Sequence, residues 1–312
     1  MGRKAMSDPL ITVVKLNGVL TAPQGRAPAA ARRGTLSLDR VEKWLNRAFL
    51  KELQPAACAI SINSPGGSPV QSELIHDMIC RLKRQTSIPV FTFAEDVAAS
   101  GGYWLLCSGD EMYGCSTSLV GSIGVVSSSF GVLSAAEKLG IERRVWTAGK
   151  AKVPMDPFLP VTEEQENRLK DIMASMHGSF QRVVRDARGV KMSGDRDTQE
   201  EIFSGRAWTG EQAVGLGLLD GIGTLRGVMR EKFGEKARFL LCSESPQPGF
   251  RDVFGLQYGG GGGGGILPSM FATNNTSTDS GTDSSALLLR AAVEGVLDDV
   301  EQRAIWDRYK LS

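Results

Sequence analysis

The sequence predicts an α/β fold of stacked, mostly parallel β units, and three observations carry that expectation. Strand-length apolar runs alternate with amphipathic helical segments from residue 10 onward. Two of the strands end in small-residue runs, Asn63-Ser64-Pro65-Gly66-Gly67 and Ala98-Ala99-Ser100-Gly101-Gly102, the composition of tight strand-to-helix turns. A chain of 312 residues is long enough for one large domain with a substantial core plus additions.

Residues 1–9 read as an N-terminal extension. Leu10 to Leu20 reads as the opening strand, and Thr21 to Gly34, rich in Ala, Pro and Arg, as a loop with solvated arginines. Leu36 to Leu53 is helical in pattern, with Val41, Trp44, Leu45, Ala48 and Phe49 on one face. Strand 57–63, helix 68–84, strand 89–95, helix 101–108 and strand 111–115 follow. Phe130 to Leu139 reads as a helix. Glu142 to Thr147 reads as a strand delivering the loop Ala148-Gly149-Lys150-Ala151-Lys152. Thr162-Glu163-Glu164-Gln165 is a capping box that opens a long helix to about Arg188. Thr209 to Leu216 reads as a short helix, and the domain spans 10–245. Residues 246–285 read as a linker, because they hold the glycine tract Gly259–Gly265 and the polar run Asn274–Ser285. Residues 286–312 show helical periodicity through Leu289, Val293, Val296, Leu297 and Val300.

The chemistry starts at Ser100. A serine where a strand gives way to a helix sits beside free backbone N–H groups, which suits a nucleophile next to an oxyanion hole. Alone, the run also reads as a plain tight turn. The turn at Gly66-Gly67 permits positive φ, and the Gly67 and Gly101 N–H groups together would make a two-donor oxyanion hole. A serine hydroxyl needs a base. The chain has two histidines, His76 and His177, and both fall in helical patterns as ordinary helix residues, so a Ser-His-Asp triad has little support. A lysine held neutral by burial is an alternative base.

The ordered set of motifs resembles the signal peptide peptidase A family of Ser-Lys peptidases. The matching pieces are Ile62-Asn63-Ser64-Pro65-Gly66-Gly67, Ala99-Ser100-Gly101-Gly102-Tyr103, Gly121-Ser122-Ile123-Gly124-Val125, Ala148-Gly149-Lys150-Ala151-Lys152 with Asp156-Pro157-Phe158 behind, Ser204 through Gly210, and Gly217-Leu218-Leu219-Asp220. They cover roughly residues 10–245. The resemblance implies a Clp protease/crotonase-like fold of stacked β-β-α units. It implies Ser100 as nucleophile, Lys152 as general base, Ser122 as the residue orienting the lysine amine, and Gly67 and Gly101 as oxyanion donors. Lys150 competes for the base role; the spacing to Asp156-Pro157-Phe158 favours Lys152. Val125, Val126 and Phe130 suggest an apolar substrate pocket. The expected activity is endopeptidase cleavage of hydrophobic peptides such as cleaved signal peptides. Similar short enzymes form rings, which implies a homo-oligomer, expected to be an octamer. The other readings are a crotonase-like acyl-CoA enzyme and a catalytically silent binding or assembly module on the same fold.

Composition bounds the partners. A net charge of +1 gives nothing to draw nucleic acid. The five cysteines show no C-x-x-C spacing, so reduced thiols are expected and neither a zinc site nor a disulfide framework. Gly149-Lys150 is followed by Ala151, so there is no phosphate-binding P-loop. No cofactor is expected. The N-terminal residues hold no apolar run long enough for a signal peptide or membrane span, a departure from the anchored bacterial members. Membrane contact, if any, would be peripheral.

Overall fold

The computed structural model describes residues 8–23, 34–149, 156–192 and 194–243. Lys150, Lys152, the linker 246–285 and the helix expected over 286–312 lie outside the described residues.

In chain order the elements are β1 (Leu10–Asn17), β2 (Val19–Leu20), β3 (Thr35–Leu36), α1 (Leu38–Ala48), a single 3-10 turn (Lys51–Leu53), β4 (Ala57–Ser64), α2 (Pro69–Thr86), β5 (Val90–Ala99), α3 (Gly101–Leu106), β6 (Glu111–Gly114) and β7 (Leu119–Gly121). They continue with α4 (Leu133–Lys138), α5 (Glu163–Arg188), α6 (Arg196–Ile202), β8 (Ala207–Thr209), α7 (Gly210–Gly215), β9 (Gly221–Ile222), α8 (Leu225–Phe233) and β10 (Arg238–Leu241). The fold is α/β around a mostly parallel sheet of order β10-β1-β4-β5-β6-β9. Strands β1, β4, β5 and β6 are spatial neighbours in sequence order, and helices connect them, as parallel pairing requires.

Period-two alternation divides the strand side chains between two faces. Val14 and Leu16 of β1 and Cys58, Ile60 and Ile62 of β4 join Val41 and Leu45 of α1, Ile75 and Ile79 of α2, and Leu105 of α3 in one core. The intervening Ile11, Val13, Ala57 and Ala59 join Phe91 and Phe93 of β5 and Val228 and Met229 of α8 in a second core on the opposite face. Both faces are therefore covered, which is why these strands read as near-continuous apolar runs.

Helix ends follow local chemistry. Ser68 caps α2 by accepting from the Gln71 N–H, and Pro69 takes the first-turn position where no N–H is needed. The Thr162–Gln165 capping box opens α5 as expected, and that helix ends at Arg188.

The structure corrects three sequence expectations. The strand expected over 89–95 runs on to Ala99, because Val97, Ala98 and Ala99 find a second parallel partner in β7. The helix expected from Phe130 starts only at Leu133 and ends at Lys138; its Phe130 end is exposed, with no core to hold it. Residues 142–147 form no strand, and residues 141–149 are exposed throughout; the alternation there has no sheet edge to pair with. The sequence reading also passed over α6, α8 and the short strands β7 to β10.

One buried ion pair ties α5 to the sheet. Arg188 is 1% exposed. Its Nη1 lies 2.8 Å from Asp220 Oδ2, and its Nε donates to the Gly217 carbonyl at 2.7 Å. Asp220 also accepts from the Met112 N–H and from Lys191. Burial alone would raise the Asp220 carboxyl, but the Arg188, Lys191 and Met112 hydrogen bonds outweigh it and the net shift is downward. A carboxyl lowered on folding contributes stability above its unfolded value and loses it as pH falls through the folded one. Asp220→Ala leaves Arg188 buried and uncompensated, so it should cost about 3 kcal/mol in urea denaturation at pH 7. The wild type should lose part of that advantage as pH is lowered below the ordinary carboxylate range, narrowing the gap between the two denaturation midpoints. Equal stabilities at pH 7 would show that the pair contributes nothing.

Candidate active site

The candidate site forms where three chain segments meet at the C-terminal ends of the central strands. Strand β5 pairs with β6 through Phe91–Ala94 and with β7 through Val97–Ala99. The last pair, Ala99 with Gly121, puts Ser100 and Ser122 at adjacent strand ends. The Ser100 N–H donates to the Gly121 carbonyl at 2.8 Å and fixes that register.

Ser100 is half-buried and directly precedes α3. Its φ of 52° and ψ of −122° are rare for a residue with a side chain. Ser122 has φ 51°. Such backbones cost free energy and persist only where the surroundings over-determine them. At Ser100 those surroundings are the Gly121 carbonyl before it and α3 after it, where the Trp104 N–H donates to the Ser100 carbonyl at 3.0 Å. At Ser122 they are the Arg206 carbonyl, which accepts the Ser122 N–H at 2.8 Å, and the Gly124 N–H, which donates to the Ser122 carbonyl at 3.0 Å.

The third segment is the Ser64–Ser68 turn. Gly66 has φ 102°, and a Cβ on it would lie 2.8 Å from both the Gly101 nitrogen and the Ser100 Cβ. The turn is held from outside by β2: the Leu20 N–H donates to the Gly66 carbonyl and the Ser68 N–H to the Leu20 carbonyl, at 2.8 and 2.7 Å. Because Leu20 bonds the residues on either side of Gly67, the Gly67 N–H points away from Leu20. Gly67 itself is exposed.

Other sequence-nominated residues are placed as follows. Val125 is half-buried, whereas Val126 and Phe130 are 67% and 78% exposed. Asp156, just after the lysine loop, accepts from the Phe158 N–H at 2.9 Å and pairs with Arg143 at 3.0 Å. The Phe158 N–H first, and then Arg143, hold its carboxyl below the usual range. The Val132 N–H donates to the Pro157 carbonyl at 2.7 Å, so the C-terminal flank of the loop is fastened to the start of α4.

Neither histidine hydrogen-bonds Ser100 among the described residues. His76 lies by Asp77 and Cys80 on α2, and burial lowers its pKa. His177 reaches the Ile123 carbonyl, a contact the sequence reading missed and that only the approach of α5 to β7 creates. All five cysteines are free; burial pushes the Cys58 thiol up to about 12, which makes it inert. No group of three or more His, Cys, Asp or Glu among the described residues could hold a metal ion.

Fold and site together define an α/β protein that presents a strained serine at the C-terminal edge of a parallel sheet. The sequence model of peptidase family S49 matches residues 82–237, half of the chain, and the chain belongs to that family. Among its relatives is a protein of Brucella abortus named a Na(+)/H(+) antiporter NhaA, 40% identical over 96% of this chain but matched over only 37% of its own length. A Brucella melitensis protein of the same name matches at the same level. The chain thus spans little more than a third of these two relatives, and no described helix is long and apolar enough to cross a membrane. A putative signal peptide peptidase SppA of Enterococcus faecium is 30% identical over 70% of the chain and 61% of its own length. The chloroplastic serine protease SPPA of Arabidopsis thaliana is 29% identical over 69% of the chain and 31% of its own.

Two outcomes follow from the strained geometry. Ser100→Gly should raise stability by about 1 kcal/mol over Ser100→Ala, because glycine accepts the positive φ without cost; paired thermal denaturations measure the difference. Gly66→Ala should leave the sheet folded but displace Ser100, seen as a local change in the structure confined to residues 64–68 and 99–102.

Proposed function

We propose that this chain is a serine endopeptidase that cleaves hydrophobic peptides, with Ser100 as nucleophile and Lys152 as base. The observation that carries the reading is the strained Ser100 backbone, clamped between the Gly121 carbonyl and the Gly66 turn. Strain of this kind collects where a reacting group must be presented in one orientation. Membership in peptidase family S49 supports the same assignment.

In this mechanism neutral Lys152 takes the Ser100 proton as Oγ bonds to the peptide carbonyl carbon. The Gly67 and Gly101 N–H groups receive the resulting oxyanion. The lysine ammonium returns the proton to the leaving amine as the C–N bond breaks. Water then attacks the acyl-enzyme carbonyl, giving up its proton to the Lys152 amine, and the lysine ammonium returns that proton to Oγ as the ester bond breaks. Ser122, adjacent to Ser100 through the strand register, orients the lysine amine. Val125, Val126 and Phe130 receive apolar substrate side chains.

We also infer a homo-oligomeric ring, of eight copies by resemblance to similar enzymes. Its support on the surface is the exposed apolar series Leu139, Ile141 and Trp146 in the segment between β7 and α5. A concentration of exposed large apolar side chains in one segment is a candidate interaction surface.

Intact-mass spectrometry after treatment with a fluorophosphonate tests the chemistry. The wild type should gain one adduct, located at Ser100, and both Ser100→Ala and Lys152→Ala should lose it. An unlabelled, well-folded wild type would defeat the reading. For the assembly, light scattering should give a mass several times that of one chain, and Trp146→Glu should shift it toward the monomer. A monodisperse wild-type monomer that turns over peptide would rule the ring out.

A further inference from the structure

His177, Gln181 and Arg185 follow one another at four-residue intervals on α5 and so share one face of the helix. His177 Nε2 lies 3.1 Å from the carbonyl oxygen of Ile123, the residue after Ser122. The Gln181 Nε2 amide lies 3.4 Å from His177 Nδ1 and 3.3 Å from Nε2, and Gln181 Oε1 accepts from Arg185 Nη1 at 3.0 Å. The Arg185 guanidinium also rests over the Phe203 ring, 4.5 Å from its centroid.

A guanidinium only donates, so Arg185 takes the oxygen end of the Gln181 amide and leaves the NH2 end toward the imidazole. That NH2 needs an acceptor nitrogen on the ring. The Ile123 carbonyl needs a donor, and Nε2 is the ring nitrogen that reaches it. With Nε2–H donating to the Ile123 carbonyl, Nδ1 is the ring nitrogen left to accept from the Gln181 amide. The chain from Arg185 to Ile123 is thus polarised in one direction and ends on the backbone of the strained turn.

The turn needs such a partner. Ser122 holds φ 51°, and its own N–H and carbonyl are taken by Arg206 and Gly124. The Ile123 carbonyl is the next backbone group along, and His177 supplies its donor. We propose that His177 is a positioning residue: it holds the Ser122 turn in its strained conformation and thereby sets the reactivity of Ser100. The proposal rests on the reading above, in which Ser122 orients the base amine. His177 makes no hydrogen bond to Ser100 among the described residues, and in this proposal it takes no proton in the reaction.

The test is the rate of fluorophosphonate labelling at Ser100 in the full chain, measured beside thermal denaturation and peptide turnover. His177→Leu removes the donor and should slow labelling by about 10- to 100-fold, the cost of a small misplacement at a reacting centre. The loss should fall on kcat with KM unchanged, because the side chain does not touch peptide. His177→Gln keeps an N–H at similar reach and should recover most of the rate. Gln181→Leu leaves the imidazole but frees its tautomer, and should slow labelling less than His177→Leu does; it keeps the test open if His177→Leu fails to fold. Wild-type labelling rates in folded His177→Leu would overturn the proposal. So would equal losses in the Leu and Gln variants. A wild type that takes no label at all would instead overturn the peptidase reading, and this proposal with it.

Discussion

The ten-residue strand β5 pairs with three different strands, and the arrangement of those pairings decides where the chemistry can sit. One edge of β5 is taken by β4 through Val90–Ala94 and again at Ala98, with a register shift between. The other edge is shared: β6 takes Phe91–Ala94 and β7 takes Val97–Ala99. Because β7 arrives late and ends at Gly121, its terminus coincides with that of β5. The two strand ends then lie side by side, and the serines that follow them become neighbours. Shifting this register by one residue would move β5 side chains to the wrong face of a sheet buried on both sides, so the placement of the serines is enforced by the two cores.

The close approach of backbones around Ser100 has the same origin. The Gly66 turn, the Gly101-Gly102 start of α3 and the Leu20 edge pack closely, with the Ser72 hydroxyl and the Leu20 side chain against Gly101. A Cβ on Gly67 would lie 2.1 Å from the Leu20 carbonyl oxygen, and one on Gly102 would lie 2.3 Å from the Ser64 carbonyl oxygen. Packing this dense leaves the strained serine backbone no room to relax, and over-determination of that kind is what lets an unfavourable φ persist.

Helix α5 connects the fold to the site through its C-terminal half. Near its C-terminus Arg188 is locked to Asp220 and Gly217, close to the β6 strand through Met112. Midway, Phe180 stacks on Trp104 of α3 with ring centroids 5.0 Å apart. One turn earlier, His177 meets the backbone beside Ser122. The helix therefore braces the segments carrying Ser100 and Ser122 from one side, anchored by a charge pair that has little freedom to shift.

Much of this was legible in the chain itself, for local reasons. The buried strands β1, β4 and β5 announce themselves by apolar runs, α2 by its apolar face and α5 by its capping box, since each signal lies within a few neighbouring residues. The small-residue turns at Gly66-Gly67 and Ser100-Gly101 mark close backbone approach for the same reason, and they named the candidate site. What was not legible needed partners distant in sequence. The extension of β5 to Ala99 depends on β7, the second core depends on α8, and the exposed segment 141–149 carries a strand-like pattern that no edge accepts. The left-handed backbones of Ser100 and Ser122 belong to this second group, because serine has no intrinsic preference for them. The sequence by itself determined the α/β class, the order of its main elements and the residues at its turns, since propensity and periodicity act over short range. Tertiary structure alone decided the register that sets the two serines together, their strained geometry and the helix that braces them, since each of these is a bond between residues that only folding brings within reach.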